Sequence, residues 1–156
     1  MNYMCVFSKD RKYRYVWRHG WDADKPIMMF VGLNPSTADE KEKDPTVTRC
    51  VNLAKREGCG TLIMMNIFAI RSTDPKVLYD HDSPIGEDND LWLKRIAESA
   101  KIIVGGWGVH GKLNNRGNDV LKLFDKIYCL GTNKDGTPKH PLYLRKDTPL
   151  IKLGNS

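Results

Sequence analysis

Residues 27–36 read Ile27-Met28-Met29-Phe30-Val31-Gly32-Leu33-Asn34-Pro35-Ser36. The unbroken apolar run over 27–31 leaves no polar face, which suits a strand covered on both sides, as in a parallel sheet. Gly32 and Pro35 then bracket a tight turn, so the strand delivers Asn34 on a loop. Three more runs have the same character, at 61–65, 102–104 and 127–130. Helical patterns separate them. Val47, Cys50, Val51 and Ala54 recur at i, i+3, i+4 and i+7, with Asp44 as N-cap, Pro45 at the first helical position and Gly58 near the end. Leu93, Ile96, Ala97 and Ala100 repeat that spacing behind an acidic start, Glu87, Asp88 and Asp90, which suits the positive end of a helix dipole. A shorter helix carries Val120, Leu121 and Phe124 behind a cap at Asn114 or Asn115.

Alternating strands and helices predict an α/β fold, a three-layer αβα sandwich with a four-stranded parallel central sheet. Upstream, residues 4–7 and 13–17 read as a β-hairpin joined through Ser8, Lys9, Asp10 and Arg11. Residues 72–86, with Pro75, His81 and Pro84, form an irregular connection with one helical turn around 76–79, long enough to be a candidate for function. The 156 residues are expected to make one domain, with an N-terminal hairpin extension over 1–26 and the αβα core over 27–144.

With 40% hydrophobic residues the chain can build a core without disulfides or metals. Cys5, Cys50, Cys59 and Cys129 form no CxxC pair, so they signal neither zinc nor a redox motif; they are expected to be reduced and mostly buried. No run approaches the roughly 20 apolar residues of a membrane span, and the basic start (Lys9, Arg11, Lys12, Arg14) has no apolar leader run. A cytoplasmic location away from membranes is expected. The net charge is +6, and it resides at the ends: residues 1–26 hold six Lys and Arg against three acids, and 134–156 hold five against two. If the fold brings these ends to one face, that face attracts a polyanion; otherwise the surplus serves solubility.

Ligands of an open parallel sheet bind beyond the carboxyl ends of the strands, and the unusual residues gather there. The first turn places Gly32, Leu33, Pro35 and Ser36 where backbone N–H groups can approach a ligand. Its Asn34 either caps the turn or positions a water or base edge, but an amide is no general base. Asn66 ends an apolar strand, so its amide requires a partner, backbone or ligand, because leaving it unpaired costs about 1–3 kcal/mol. Arg71 can meet a phosphate or an acidic surface partner. Trp107, in a turn with Gly105, Gly106, Gly108 and Gly111, can stack on a base or belong to the core. His140 stands before Pro141, so it is extended and presents its ring from a loop, able to donate to an oxygen gaining negative charge. His110 is a second rim candidate; His19 reads as a hairpin surface residue and His81 as a loop residue. Dinucleotide, P-loop, metal and Ser or Cys nucleophile signatures are missing, so no metal and no cofactor are expected.

The order of these motifs resembles the uracil-DNA glycosylase superfamily: GLNPS (32–36), MMNIFAIR (64–71), GWG (106–108) and KHPLYL (139–144). GLNPS is similar to the Asn-bearing first motif of the mismatch-specific and thymine-DNA glycosylase branch. More closely, GLNPSTAD, DPTVTRC, NIFAIRSTDP and GTNKDGTPKHPLYL resemble a bacterial and phage family, domain of unknown function 1643, over nearly the whole chain. The glycosylase resemblance implies that Asn34 orients the attacking water, Asn66 reads the base edge and His140 stabilises the base oxygen. It also implies an aromatic floor, for which Phe68 or Trp107 stands; Tyr143 is a further expected ligand-binding residue. Leu142-Tyr143-Leu144 replaces the superfamily's Ser-Pro and intercalating loop. The expected partner is therefore a nucleobase, in DNA or in a nucleotide, and the expected reaction is hydrolysis of an N-glycosidic bond with the base flipped out. The alternatives are an enzyme acting on a free nucleotide or nucleotide-derived signal, and a non-catalytic module that sequesters one.

Overall fold

The structure is a computed structural model and describes residues 2–36 and 45–154. The expected helix cap Asp44 and the end of the GLNPSTAD motif lie outside the described residues. Strands β1 (Asn2–Phe7), β2 (Arg14–Gly20), β3 (Ile27–Gly32), β4 (Thr61–Asn66), β5 (Ile102–Gly105), β6 (Tyr128–Cys129) and β7 (Ile151–Lys152) form one sheet in the order β1-β2-β4-β3-β5-β6-β7. The four apolar runs become β3, β4, β5 and β6, which are mutually parallel. The sheet is nevertheless seven-stranded and mixed, not the expected four-stranded parallel sheet. β2 pairs antiparallel with β4, Trp17 opposite Met64, and β7 pairs antiparallel with β6. The hairpin is thus no appendage: Tyr15, Val16 and Trp17 are core residues.

The continuous apolar runs follow from burial on both faces. Met29, Val31, Ile63 and Met65 pack with Leu93 and Val120. Met28, Phe30, Leu62 and Met64 pack with Val47, Cys50, Val51 and Ala54 on the other face. The first face is covered by α3 (Asn89–Ser99) and α4 (Arg116–Leu121), the second by α1 (Pro45–Arg56). The short α2 (Lys76–Asp80) is the helical turn within the 72–86 connection. α1 begins at Pro45 and ends on Gly58, whose φ of +79° favours glycine and lets Cys59 N–H return to the Ala54 carbonyl at 2.8 Å. At the start of α4, Asn114 and Asn115 are both left-handed, and the Asn115 Oδ1 accepts from the Asn118 side chain at 2.7 Å. No side-chain hydrogen bond caps the backbone there.

One expectation about the hairpin is overturned. His19 is 3% exposed, because the alternation of β2 puts it between Trp17 and Trp21 with ring centroids at 6.1 and 5.5 Å. The strands nearest the two basic ends, β1 and β7, are the opposite edges of the sheet. Among the described residues no helix is long and apolar enough to cross a membrane.

Candidate functional site

The carboxyl ends of β3, β4 and β5 open on a cleft of about 610 Å³. Gly32, Leu33, Asn34, Pro35, Ser36, Asn66, Trp107, His110, His140 and Tyr143 all line it. The first turn and the chain after β4 run side by side, with Ile67 N–H on the Gly32 carbonyl at 2.9 Å, Phe68 N–H on Leu33 at 3.0 Å and Ser72 N–H on Pro35 at 2.9 Å. These backbone bonds tie the two segments together past the ends of the strands and stiffen the rim.

Asn34 Nδ2 donates to the carbonyls of Ser72 at 3.0 Å, Ile70 at 3.3 Å and Pro35 at 3.3 Å. The nitrogen thus ties the loop to the 70–72 segment, and the oxygen is the atom left for the cleft. Asn66 is paired in register with Gly32 and is 7% exposed. Among the described residues nothing hydrogen-bonds its side-chain amide, which opens onto the cleft. Its main chain is held from behind. Asn89 Nδ2 donates to the carbonyls of Asn66 at 2.9 Å and Ile67 at 3.2 Å, and Arg116 Nε donates to Ile67 at 2.7 Å while its Nη2 pairs with Asp90 at 2.5 Å.

His140 caps the 3₁₀ turn Pro141–Tyr143, its Nδ1 accepting the Leu142 N–H at 3.3 Å. An accepting Nδ1 leaves the proton of the neutral ring on Nε2. Arg49 on α1 fastens this turn, its Nη1 donating to the carbonyls of Leu144 at 2.6 Å and Pro141 at 3.3 Å. The described lining contains no carboxylate, cysteine or lysine; its polar side chains are Arg14, Asn34, Asn66, His110, His140, Tyr143 and the hydroxyls of Ser36, Thr46, Ser72 and Thr73. No cluster of His, Cys, Asp and Glu among the described residues is able to hold a metal ion.

Residues 14–142 match the family described as Protein of unknown function (DUF1643). The chain belongs to that family. No curated protein and no solved structure matches it.

In this DUF1643 member two candidate residues stand away from the cleft. Phe68 is fully buried in the core and does not line the cleft; Phe30, from the central strand, does. Arg71 turns toward the hairpin, donating to the Arg11 carbonyl at 3.0 Å with its guanidinium 4.9 Å from the Phe7 ring, and lies outside the lining. Trp107 lines the cleft but is 4% exposed, which leaves little ring for stacking. The glycines around it accommodate aromatics of the chain itself: a Cβ on Gly111 would lie 2.1 Å from Trp107 Cδ1, and one on Gly106 2.5 Å from Phe30 Cζ. Tyr143 is 85% exposed, with its ring centroid 5.6 Å from that of His140. His110 Nδ1 lies 2.9 Å from the Tyr79 hydroxyl. Sequence reasoning passed over Arg14, Phe30, Thr46, Met64 and Thr73 as lining residues. Arg14 is buried at 8% at the first position of β2, a strand that also carries Arg18 and His19, so no local pattern set it apart.

Proposed function

We propose that the cleft receives a nucleobase and that the chain hydrolyses the N-glycosidic bond joining it to its sugar, in DNA or in a nucleotide. Asn66 carries this reading. Asn66 is 7% exposed and its amide, without a described partner, opens onto the cleft, where a heterocycle bearing a carbonyl beside an N–H would satisfy its donor and acceptor together. The cleft, at about 610 Å³, falls within the roughly 300–1,000 Å³ of small-molecule sites and leaves space for a sugar as well as a base. The motif likeness to the uracil-DNA glycosylase superfamily supports the same reading.

On this reading Asn34 Oδ1 accepts a hydrogen bond from the attacking water, and His140 Nε2–H donates to the base oxygen that gains charge. The bond between C1′ and the base nitrogen breaks with its electron pair passing to the base. Water supplies a hydroxyl to C1′ and a proton to solvent, and the base anion is reprotonated. Because neither asparagine is a base, catalysis rests on placing water and stabilising the departing anion.

A free nucleotide as substrate is favoured by one observation, the short turn after His140, whose carbonyls Arg49 ties down. Chromatography of free base from a uracil-containing oligonucleotide and from dUMP tests the reaction. Release is expected, with a fall of roughly 100-fold or more in His140→Ala and a strong reduction in Asn34→Ala. Tight binding with the ligand recovered unaltered would make the chain a binder. Intact substrates with no binding would end the reading.

A further inference from the structure

A second cavity, of about 260 Å³, lies between α1 and residues 141–148; Arg49, Asn52, Arg56, Arg145 and Lys146 line it together with Leu53 and Leu130 at its apolar side. Arg56 has Glu57 at 2.9 Å and Arg145 has Asp147 at 3.3 Å as carboxylate partners. Among the described residues Arg49 and Lys146 have none. The two α1 arginines are held by backbone instead: Arg49 Nη1 on the Pro141 and Leu144 carbonyls, Arg56 Nη1 on those of Lys146 at 3.0 Å and Thr148 at 2.7 Å. Carbonyls orient a guanidinium without neutralising it, and the Nη2 of each arginine remains unused by these bonds. Cations gathered with fewer carboxylates than charges repel one another, a cost that a bound anion removes. Guanidinium forks match the oxygens of phosphate.

The cavity also flanks the cleft on two elements at once. Along α1, Thr46 and Val47 line the cleft while Arg49 and Asn52 line the cavity, about 3–9 Å further along the helix axis. On the opposite wall Tyr143 lines the cleft and Lys146 the cavity. We propose that this cavity is a phosphate-binding subsite seating a phosphate of the ligand whose base enters the cleft. The pairing with a base rests on the function proposed above; the affinity for phosphate does not.

The test measures binding of inorganic phosphate, dUMP and a fluorescein-labelled ten-nucleotide single strand at several salt concentrations. It uses the full chain as wild type, Lys146→Gln, Arg49→Gln and Lys94→Gln. Lys94 is an exposed residue of α3, on the other face of the sheet, and serves as the charge control. Lys146→Gln decides the matter, because Arg49 also fastens the turn after His140. Lys146→Gln is expected to weaken binding about 3- to 10-fold and to lower the salt slope by about one, with Lys94→Gln within about twofold of wild type. A response with dUMP assigns a nucleotide phosphate; a response with the strand alone assigns a phosphodiester. If Lys146→Gln binds all three probes as Lys94→Gln does, the subsite is overturned. A chain that releases no base yet keeps Lys146-dependent binding loses the glycosidase reading and retains the subsite. A chain that releases base while Lys146→Gln binds at full affinity loses the subsite alone.

Discussion

Gly32 and Asn66 face each other across β3 and β4, so closely that a Cβ on Gly32 would lie 3.0 Å from the Asn66 Oδ1. One parallel register thus decides both where the buried amide sits and how much space it has. Gly32→Ala is expected to push the amide aside by a few tenths of an ångström. Ligand affinity should fall about tenfold or more, since small misplacements of a positioned group cost that much. The backbone at Gly32 lies outside the left-handed region, so thermal denaturation should change little. Unaltered binding by calorimetry would show that the amide is not the reader.

Asn66→Ala separates function from stability. The amide makes no hydrogen bond with described residues, so its loss should leave the unfolding midpoint unchanged or slightly raised while ligand binding disappears. A loss above about 2 kcal/mol in urea unfolding would assign the side chain to the scaffold instead.

Arg116 is 4% exposed and bridges the Ile67 carbonyl to Asp90. Arg116→Met should cost about 2–3 kcal/mol, the range for removing a charged hydrogen bond from a buried carbonyl. Arg116→Lys should recover little of it, because an ammonium cannot span both partners with a planar fork. Denaturant titration of the two variants measures this.

Asp135 is held at a pKa of about 2, first by the Thr137 hydroxyl and N–H and then by Lys112. A carboxyl depressed in the folded state contributes stability above its unfolded value and loses it as pH falls through the folded one. That contribution should therefore disappear between about pH 4 and pH 2. Across that window the melting temperature of wild type should fall more steeply than that of Asp135→Asn; parallel curves would refute the assignment.

Gly111→Ala places a methyl 2.1 Å from the Trp107 ring. The indole cannot shift within a packed core without strain, so a loss of about 1–3 kcal/mol is expected, visible as changed tryptophan fluorescence together with a lower unfolding midpoint.

Several parts of this arrangement were legible in the residues because they depend on local chemistry. Apolar runs without alternation marked the four parallel strands, and the Pro45 and Gly58 boundaries of α1 follow from backbone restrictions on those two residue types. Ser36, Asn34, Asn66 and His140 gather at one cleft because residues at the carboxyl ends of neighbouring parallel strands share a rim whatever their separation in sequence.

The chain's order of residues determined the hairpin, the four parallel strands, the main helices and the polar groups at the strand ends, since periodicity and turn chemistry act over a few positions, while the two-residue edge strand β7 carries no such pattern. Only the tertiary structure decided which edge the hairpin joins, that His19 is sealed between tryptophans, that Phe30 rather than Phe68 reaches the cleft, and that Arg49 and Lys146 share a cavity. Those outcomes depend on register and side-chain packing between segments tens of residues apart, where burial of the whole sheet, and no local preference, selects the arrangement.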